Sequence, residues 1–287
     1  MNFGNYKINN PDLFETPEYL IFEDVLEHNL KTVLEMVKDS SRLIPHAKTH
    51  KSKEILNLQI SRGIKRHKTS TLEELETLAE CSPDELILAY PISSKIKAER
   101  LGKIIKKFSH IKFSAIIGTV YHLDLLSSIE GLDGVYIDLD TGMHRTGIDV
   151  NESDPLLEKL FNSSNIKFKG IHGYDGHLVG YTEIEEKHEI VNESINIIEK
   201  FREKISKFSS DTNYDIIVGG SWSFQYYLDK TDYKVSPGTW IYWDSSNIRQ
   251  PDLNFEVAGL ILGQVIDEDK IRNTVTVDIG AKSISCD

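Results

Sequence analysis

The stretch that decides the fold spans residues 42–51 and reads Arg-Leu-Ile-Pro-His-Ala-Lys-Thr-His-Lys. A short apolar run precedes Lys48, and His46 and His50 stand on either side of it. A lysine amine becomes nucleophilic when burial or neighbouring cations lower its pKa, and it then condenses with carbonyl groups. The pattern indicates a strand that ends at a reactive lysine, with a basic, solvated junction between strand and helix as the alternative.

From residue 43 onward, short apolar runs alternate with amphipathic stretches about three turns long. The runs predict strands at 43–47, 64–70, 86–90, 113–117, 135–139, 168–174, 214–218 and 235–242. The stretches predict helices at 54–60, 72–79, 98–108, 121–127, 155–161 and 183–208. Alternating strands and helices form parallel sheets, and about eight such units make a closed (β/α)8 barrel of the TIM type. An open doubly wound sheet is the competing architecture, and the number of units favours the barrel.

The end of the chain departs from this rhythm. Residues 255–266 and 274–284 are β-rich, no helix separates them, and they predict an antiparallel hairpin. We therefore expect a barrel over 25–250 and a partial β-domain formed by 1–24 and 251–287. Two strands alone are marginally stable, so we expect this β-domain to be truncated.

Composition and charge limit the classes of function. The formal net charge of -12 disfavours nucleic acid, because affinity for nucleic acid comes largely from neutralising phosphates. No apolar run is long enough to cross a bilayer, and the N-terminus lacks the pattern of a signal peptide. Cys81 and Cys286 have no paired spacing, which is typical of a reducing compartment. We expect a cytoplasmic protein that binds a small molecule and neither nucleic acid nor membranes.

Unusual residues follow the predicted strands, where the functional residues of such barrels lie. The fifth strand leads into the turn 142–147, Gly-Met-His-Arg-Thr-Gly, which contains Arg145. The sixth leads into 170–177, Gly-Ile-His-Gly-Tyr-Asp-Gly-His. In this stretch His172 and His177 flank Asp175, and imidazole and carboxylate groups suit zinc or manganese. Their spacing, however, matches no usual zinc pattern.

The seventh strand leads into Gly219, Gly220 and Ser221, and a short helical stretch follows at 224–228. A turn of this kind that opens a helix presents free backbone N–H groups and a hydroxyl, which suits a phosphate. Phosphate sites in such barrels commonly lie after strands seven and eight. An ordinary loop is the alternative interpretation.

Together these motifs resemble the family of D-threonine aldolases and D-serine dehydratases, pyridoxal 5′-phosphate enzymes with an alanine racemase-like barrel. The resemblance rests on Pro-His-Ala-Lys-Thr-His-Lys at 45–51, the turn at 142–147, and Ser-Pro-Gly-Thr-Trp at 236–240. It implies that Lys48 binds the cofactor covalently and that Lys48 and His50 are catalytic. It also implies that Arg145 lies beside the phenolic oxygen of the cofactor and Tyr174 near the pyridine ring. The other residues expected to bind the cofactor follow strands seven and eight: Gly219, Gly220, Ser221, Ser236, Gly238 and Thr239.

The resemblance implies a lyase that acts on 3-hydroxy D-amino acids, either by cleavage to glycine and an aldehyde or by dehydration. A divalent zinc or manganese ion is expected for the family, but its ligands belong to the later β-domain beyond residue 287, so we expect impaired metal-dependent turnover. Fold relatives suggest a homodimer. Two alternatives within this class are a non-catalytic protein that binds pyridoxal phosphate and an amino-acid racemase. A third is a metal-dependent hydrolase that uses His46, His50, His172 and His177.

Overall fold

The computed structural model describes residues 6–281, so Cys286 and the last residues of the predicted 274–284 strand lie outside the described residues. The strands are β1 Glu18–Ile21, β2 Arg66–Thr69, β3 Glu85–Leu88, β4 Lys112–Ile117, β5 Gly134–Leu139, β6 Phe168–Gly173, β7 Asp215–Val218, β8 Lys234–Val235, β9 Gly259–Leu262, β10 Val265–Asp269 and β11 Thr274–Val277. The α-helices are α1 Glu23–Val37, α2 Lys53–Ser61, α3 Leu72–Ala79, α4 Lys95–Lys107, α5 Val120–Leu126, α6 Asp154–Phe161, α7 Ile184–Ile205 and α8 Phe224–Lys230. The chain divides into two compact units, Val33–Trp240 and the combination of Met1–Thr32 with Ile241–Asp287.

In the larger unit, strands β2 to β8 form one parallel sheet in sequence order. Residues 43–46 join its two edges, because Leu43 pairs with Val235 of β8 and His46 pairs with Lys68 of β2, both in parallel. The N–H of Ile44 donates to the carbonyl of Val235, and the N–H of Lys68 donates to that of Pro45, each at 2.9 Å. The sheet therefore closes on itself, and the predicted (β/α)8 barrel is confirmed.

Two barrel strands are shorter than predicted. The first run makes only isolated pairs at its two ends before a 3-10 turn begins at Ala47–Thr49. β8 has two residues rather than the predicted 235–242, because Pro237 has no N–H with which to extend the ladder. A second 3-10 turn follows at Thr239–Ile241. Lys48 and Gly238 consequently lie in irregular backbone directly after the first and last strands of the barrel.

The barrel interior is largely apolar. Its central cluster consists of Ile44, Ile87, Ile116, Tyr136 and Ile217. All six residues of β5 are buried, as expected for a parallel strand that is covered on both faces. Strand β2, in contrast, reads Arg-His-Lys-Thr, and its last three residues are buried although they are polar. Burying such groups is costly unless they have partners, so this strand carries polar interactions inside the barrel.

The amino ends of the barrel strands are joined by a buried ionic cluster. The Arg66 guanidinium donates to Glu85 at 2.7 Å, to Asp215 at 2.6 Å and to the Tyr136 hydroxyl at 2.8 Å. Lys169 Nζ lies 3.1 Å from Glu85, whose side chain is 4% exposed. The cluster therefore links strands β2, β3, β5, β6 and β7 through partners that compensate one another's charge.

Capping residues fix the starts of three barrel helices. The hydroxyl oxygens of Ser52, Thr71 and Thr119 accept hydrogen bonds from backbone N–H groups in the first turns of α2, α3 and α5. Such caps each contribute about 1 kcal/mol, so they set where each helix begins after its preceding strand.

The smaller unit contains two antiparallel pairs. β1 pairs with β9, so that Glu18 lies opposite Leu262, and β10 pairs with β11. The predicted hairpin is therefore confirmed over 265–277, but residues 259–262 pair with the N-terminal strand, which the sequence pattern had not indicated. The expected limits of a partial β-domain, 1–24 and 251–287, stay a prediction. Within residues 6–281, no helix combines the length and hydrophobicity needed to cross a membrane.

We expect Arg66→Ala to lower the free energy of unfolding by about 1 to 3 kcal/mol, because it removes one of the two cations beside the buried carboxylate of Glu85, which keeps Lys169. Urea unfolding followed by circular dichroism measures this loss. Arg100→Ala is the matched control, since Arg100 pairs with the exposed carboxylate of Glu73, and such pairs contribute little. Equal losses in the two variants would contradict a stabilising role for the cluster.

Candidate active site

Lys48 lies in the 3-10 turn that follows the first barrel strand. Its N–H donates to His46 Nδ1 at 3.3 Å, which caps the turn, and its Nζ lies 5.4 Å from the centre of the Tyr174 ring. The side chain reaches solvent, yet burial and the Arg145 guanidinium lower the pKa of Lys48 against an opposing effect of Glu74. The amine is therefore neutral in a larger fraction of molecules near neutral pH than an ordinary lysine, which favours nucleophilic attack.

The turn after β5 positions Arg145. Asp140 Oδ1 accepts the N–H groups of Gly142 at 3.0 Å and His144 at 3.1 Å. Gly147 has a φ of +102°, and a Cβ there would lie 2.6 Å from the backbone nitrogen of Asp140, so only glycine fits. Arg145 Cζ lies 5.1 Å from the centre of the Tyr174 ring. The Arg145 guanidinium and the Lys48 amine thus both approach this ring, whose face attracts cations.

A hydrogen-bonded chain of three buried residues lies inside the barrel. Lys68 Nζ is 2.9 Å from His172 Nε2, and His172 Nδ1 is 2.7 Å from Asp138 Oδ1. The Asp138 carboxylate accepts a hydrogen bond from the N–H of Nδ1, which leaves Nε2 as the acceptor for the Lys68 amine. Burial and the charge of Lys48 lower the pKa of Lys68 to about 7, against the raising effects of Asp138 and Asp175. Sequence reasoning missed Lys68, although a polar β2 among apolar strands was the available signal.

Two cavities meet at Lys48. Both are lined by His46, Lys48 and Arg145. The deeper one is also lined by Lys68, His172 and Tyr174. The other has a volume of about 560 Å³ and is also lined by Ser70, Tyr90, Thr119 and His122. Their shared lining makes Lys48 and Arg145 the groups that a ligand in either cavity would meet.

His50, by contrast, does not line these cavities among the residues that the structure describes. Its Nδ1 accepts the N–H of Ser52 at 3.1 Å, at the start of α2. Burial lowers the pKa of His50 to about 4, so the ring is neutral at neutral pH. The geometry gives His50 a place in the backbone turn, and its catalytic role stays a prediction.

Two backbone donors in the turn after β8 converge on a hydroxyl in the turn after β7. The N–H groups of Gly238 and Thr239 donate to Ser221 Oγ at 3.2 and 2.9 Å, so that they converge on one oxygen as they would on an anion. Gly219 has a φ of +76°, which glycine adopts without strain. The expectation that this turn presents free N–H groups is wrong at Gly220, because its N–H donates to Ser223 Oγ at 3.0 Å.

Close packing places this turn next to Lys48 and Tyr174. A Cβ on Gly220 would lie 3.0 Å from Tyr174 Cε2, and one on Gly238 would lie 2.9 Å from the carbonyl oxygen of His46. Ser236, which was also predicted to bind the cofactor, donates its hydroxyl to the carbonyl of Ile44 at 2.6 Å and so contributes to barrel closure. The two glycines therefore allow the turns after β7 and β8 to approach the Lys48 segment.

The polar residues of 170–177 do not converge on one point. The His172 ring faces Asp138, whereas Asp175 accepts a hydrogen bond from Ser223 Oγ at 2.8 Å. A Cβ on Gly142 would lie 3.3 Å from the His177 ring, which places that imidazole against the turn after β5. Within residues 6–281, no group of three or more histidines, cysteines or acidic residues could hold a metal ion. The described residues thus do not form the site that the hydrolase alternative requires.

Comparison with known proteins agrees with this fold. The model of the family described as "Alanine racemase, N-terminal domain" matches residues 21–245. This match and the solved structures below confirm the resemblance stated from the sequence motifs. Comparison with curated proteins gave no significant match.

Three similar solved structures illustrate the fold. D-threonine aldolase from Filomicrobium marinum is 20% identical, with a TM-score of 0.86 over 95% of this chain and 75% of that chain. D-threo-3-hydroxyaspartate dehydratase from Delftia sp. HT23 is 19% identical, with a TM-score of 0.82 over 96% of this chain and 74% of that one. An alanine racemase-like protein from Idiomarina loihiensis is 20% identical, with a TM-score of 0.82 over 98% and 76%. At these identities the similarity shows the fold alone.

We expect Arg145→Gln to raise the pKa of Lys48, because the guanidinium charge lowers it. A smaller neutral fraction makes Lys48 react more slowly with an amine-directed acylating reagent at neutral pH, and the pH dependence of labelling moves to higher pH. Peptide mass spectrometry of the labelled protein measures both effects. Arg100→Gln removes the same charge from α4 and serves as the control; a Lys48 pH profile that is identical in both variants and the wild type would contradict the electrostatic role of Arg145.

Proposed function

Because the chain belongs to the family of the alanine racemase N-terminal domain, we propose that it binds pyridoxal 5′-phosphate through the amine of Lys48. The observation that carries this proposal is the setting of that amine. Lys48 lies directly after the first barrel strand and lines both cavities. Burial and Arg145 lower the pKa of its amine. An amine in such a setting condenses readily with an aldehyde.

The surroundings of Lys48 fit the other parts of this cofactor. A phosphate would take the place of Ser221 Oγ as the acceptor of the converging N–H groups of Gly238 and Thr239, and the Tyr174 ring offers a flat face to an aromatic ring. Arg145 would neutralise a phenolic oxygen beside Lys48. The local cations also supply the attraction for an anionic ligand that the net charge of -12 does not.

The bound cofactor would supply an aldehyde for the substrate amine and a ring that accepts electrons from the bond that breaks. Lys48 would then act as the group that takes and returns a proton at the substrate. Its lowered pKa suits proton transfer near neutral pH, where both forms of the amine are accessible. Arg145 would raise the neutral fraction of this amine, which is the form that accepts the proton.

We further propose that the reaction is a lyase reaction of 3-hydroxy D-amino acids. The names of two structures with this fold, a D-threonine aldolase and a D-threo-3-hydroxyaspartate dehydratase, support this choice. The larger cavity supports it as well, because Ser70, Thr119 and His122 give it hydroxyl and imidazole groups that suit a hydroxylated side chain.

The absorption spectrum of the purified protein with pyridoxal phosphate tests the cofactor proposal. We expect the wild type to develop a visible band that borohydride reduces and traps on Lys48, and Lys48→Ala to lack both the band and the trapped adduct. Lys51→Ala is the control, since Lys51 is three residues away and its side chain is 63% exposed. A trapped adduct on another lysine, or none in the wild type, would refute the assignment.

Turnover of D-threonine and D-threo-3-hydroxyaspartate, measured with and without added zinc or manganese, tests the reaction. We expect aldehyde or keto-acid release from the D-amino acids and not from L-threonine, and a loss of at least about a hundredfold in Lys48→Ala because the proton-transfer group is gone. A protein that shows the Lys48 adduct but turns over none of these substrates under either condition would refute the lyase proposal and leave the cofactor proposal intact.

A further inference from the structure

Lys68 is a second lysine amine in the cavity that Lys48 enters. It lies on β2, is 2% exposed, and lines the deeper cavity together with Lys48. Its Nζ is 2.9 Å from His172 Nε2. A buried lysine cation is costly, and an apolar residue would suit this strand position better for stability alone. None of the roles proposed above uses the Lys68 amine.

The titratable and charged groups that face Lys68 come from several elements. They are His46 and Lys48 from the first strand and the turn after it, Asp138 from β5, Arg145 from the turn after β5, His172 from β6, and Asp175 from the turn after β6. Of the two carboxylates, Asp138 bonds to His172 and Asp175 to Ser223. Neither contacts the Lys68 amine directly, and an anion that enters the cavity would supply the negative charge near it.

We propose that Lys68 balances the charge of the cavity: above neutral pH its amine is mostly neutral before an anionic ligand binds, and it gains one proton from solvent when pyridoxal phosphate binds. This inference rests on the proposed function. The step converts the neutral amine to an ammonium, and no covalent bond breaks at Lys68. His172 accepts a hydrogen bond from Lys68 in both states, because Asp138 holds the His172 proton on Nδ1.

The surroundings of Lys68 give the direction of this proton uptake. Burial and the charge of Lys48 lower the pKa of Lys68 to about 7, so the amine is mostly protonated at pH 6 and mostly neutral at pH 8. A nearby negative charge favours the ammonium form and raises the pKa. Ligand binding therefore draws in a proton at pH 8 and hardly any at pH 6, where the amine already carries it.

Isothermal titration calorimetry with pyridoxal phosphate tests this coupling. Titrations in two buffers that lack primary amines and differ in protonation enthalpy give the number of protons taken up. We expect the wild type to exceed Lys68→Met by about 0.9 proton per site at pH 8 and by about 0.1 at pH 6, since these are the neutral fractions of an amine with a pKa near 7.

Two further variants make the test specific. Lys112→Met removes a lysine charge from the exposed start of β4, and we expect it to take up protons as the wild type does. Lys68→Arg stays protonated throughout, so it should bind the cofactor with the lower proton uptake of Lys68→Met. If Lys68→Met does not fold, Lys68→Arg and the pH dependence of the wild type decide the question.

The possible results separate the two proposals. Equal proton uptake in the wild type and the Lys68 variants, or a difference between them that is the same at pH 6 and pH 8, would overturn the role of Lys68 while cofactor binding stands. Absence of both binding heat and the visible band in the wild type would overturn the cofactor proposal and this inference with it.

Discussion

Closure of the parallel sheet through residues 43–46 is the constraint on which the site depends. This segment bonds to β8 on one side and to β2 on the other, and it makes few pairs before it turns. The turn follows at once, so Lys48 emerges at the carboxyl end of the barrel beside residues that come from β2, β5 and β6. Without closure, His46 and Lys48 would have no fixed relation to Lys68 or to the turn that carries Arg145.

Loss of hydration and repulsion between cations then act together on the amines of Lys48 and Lys68, which closure of the barrel brings close together. Lys48 loses part of its hydration and faces Arg145, and Lys68 loses nearly all of it and faces Lys48. Each effect favours the neutral amine, which is the form that attacks a carbonyl or accepts a proton. The barrel wall therefore has two effects: it buries apolar surface, which stabilises the fold, and it lowers the pKa values of Lys48 and Lys68.

The sequence predicted the barrel well because most of its strands are continuous apolar runs, and burial on both faces leaves no other pattern available. The predicted strand 235–242 was too long, because Pro237 interrupts the ladder inside an otherwise apolar run and β8 has two residues. Lys68 was missed because its importance depends on His172, which lies 104 positions away in the chain and beside it in space. His50 was predicted to be catalytic from the motif that contains Lys48; its Nδ1 accepts the Ser52 N–H at the start of α2, and its catalytic role stays a prediction.

The two ends of the barrel strands show how stability and function are divided. At the amino ends, Arg66 and Lys169 are matched by Glu85 and Asp215, so the buried charges compensate one another and hold the strands together. At the carboxyl ends, Lys48, Lys68 and Arg145 line one cavity, and among the described residues its one carboxylate is Asp138, which is already bonded to His172. These basic groups are not matched by carboxylates on the cavity wall, unlike those at the amino ends. An anionic ligand such as the proposed cofactor would supply the missing negative charge and would favour the protonated form of Lys68.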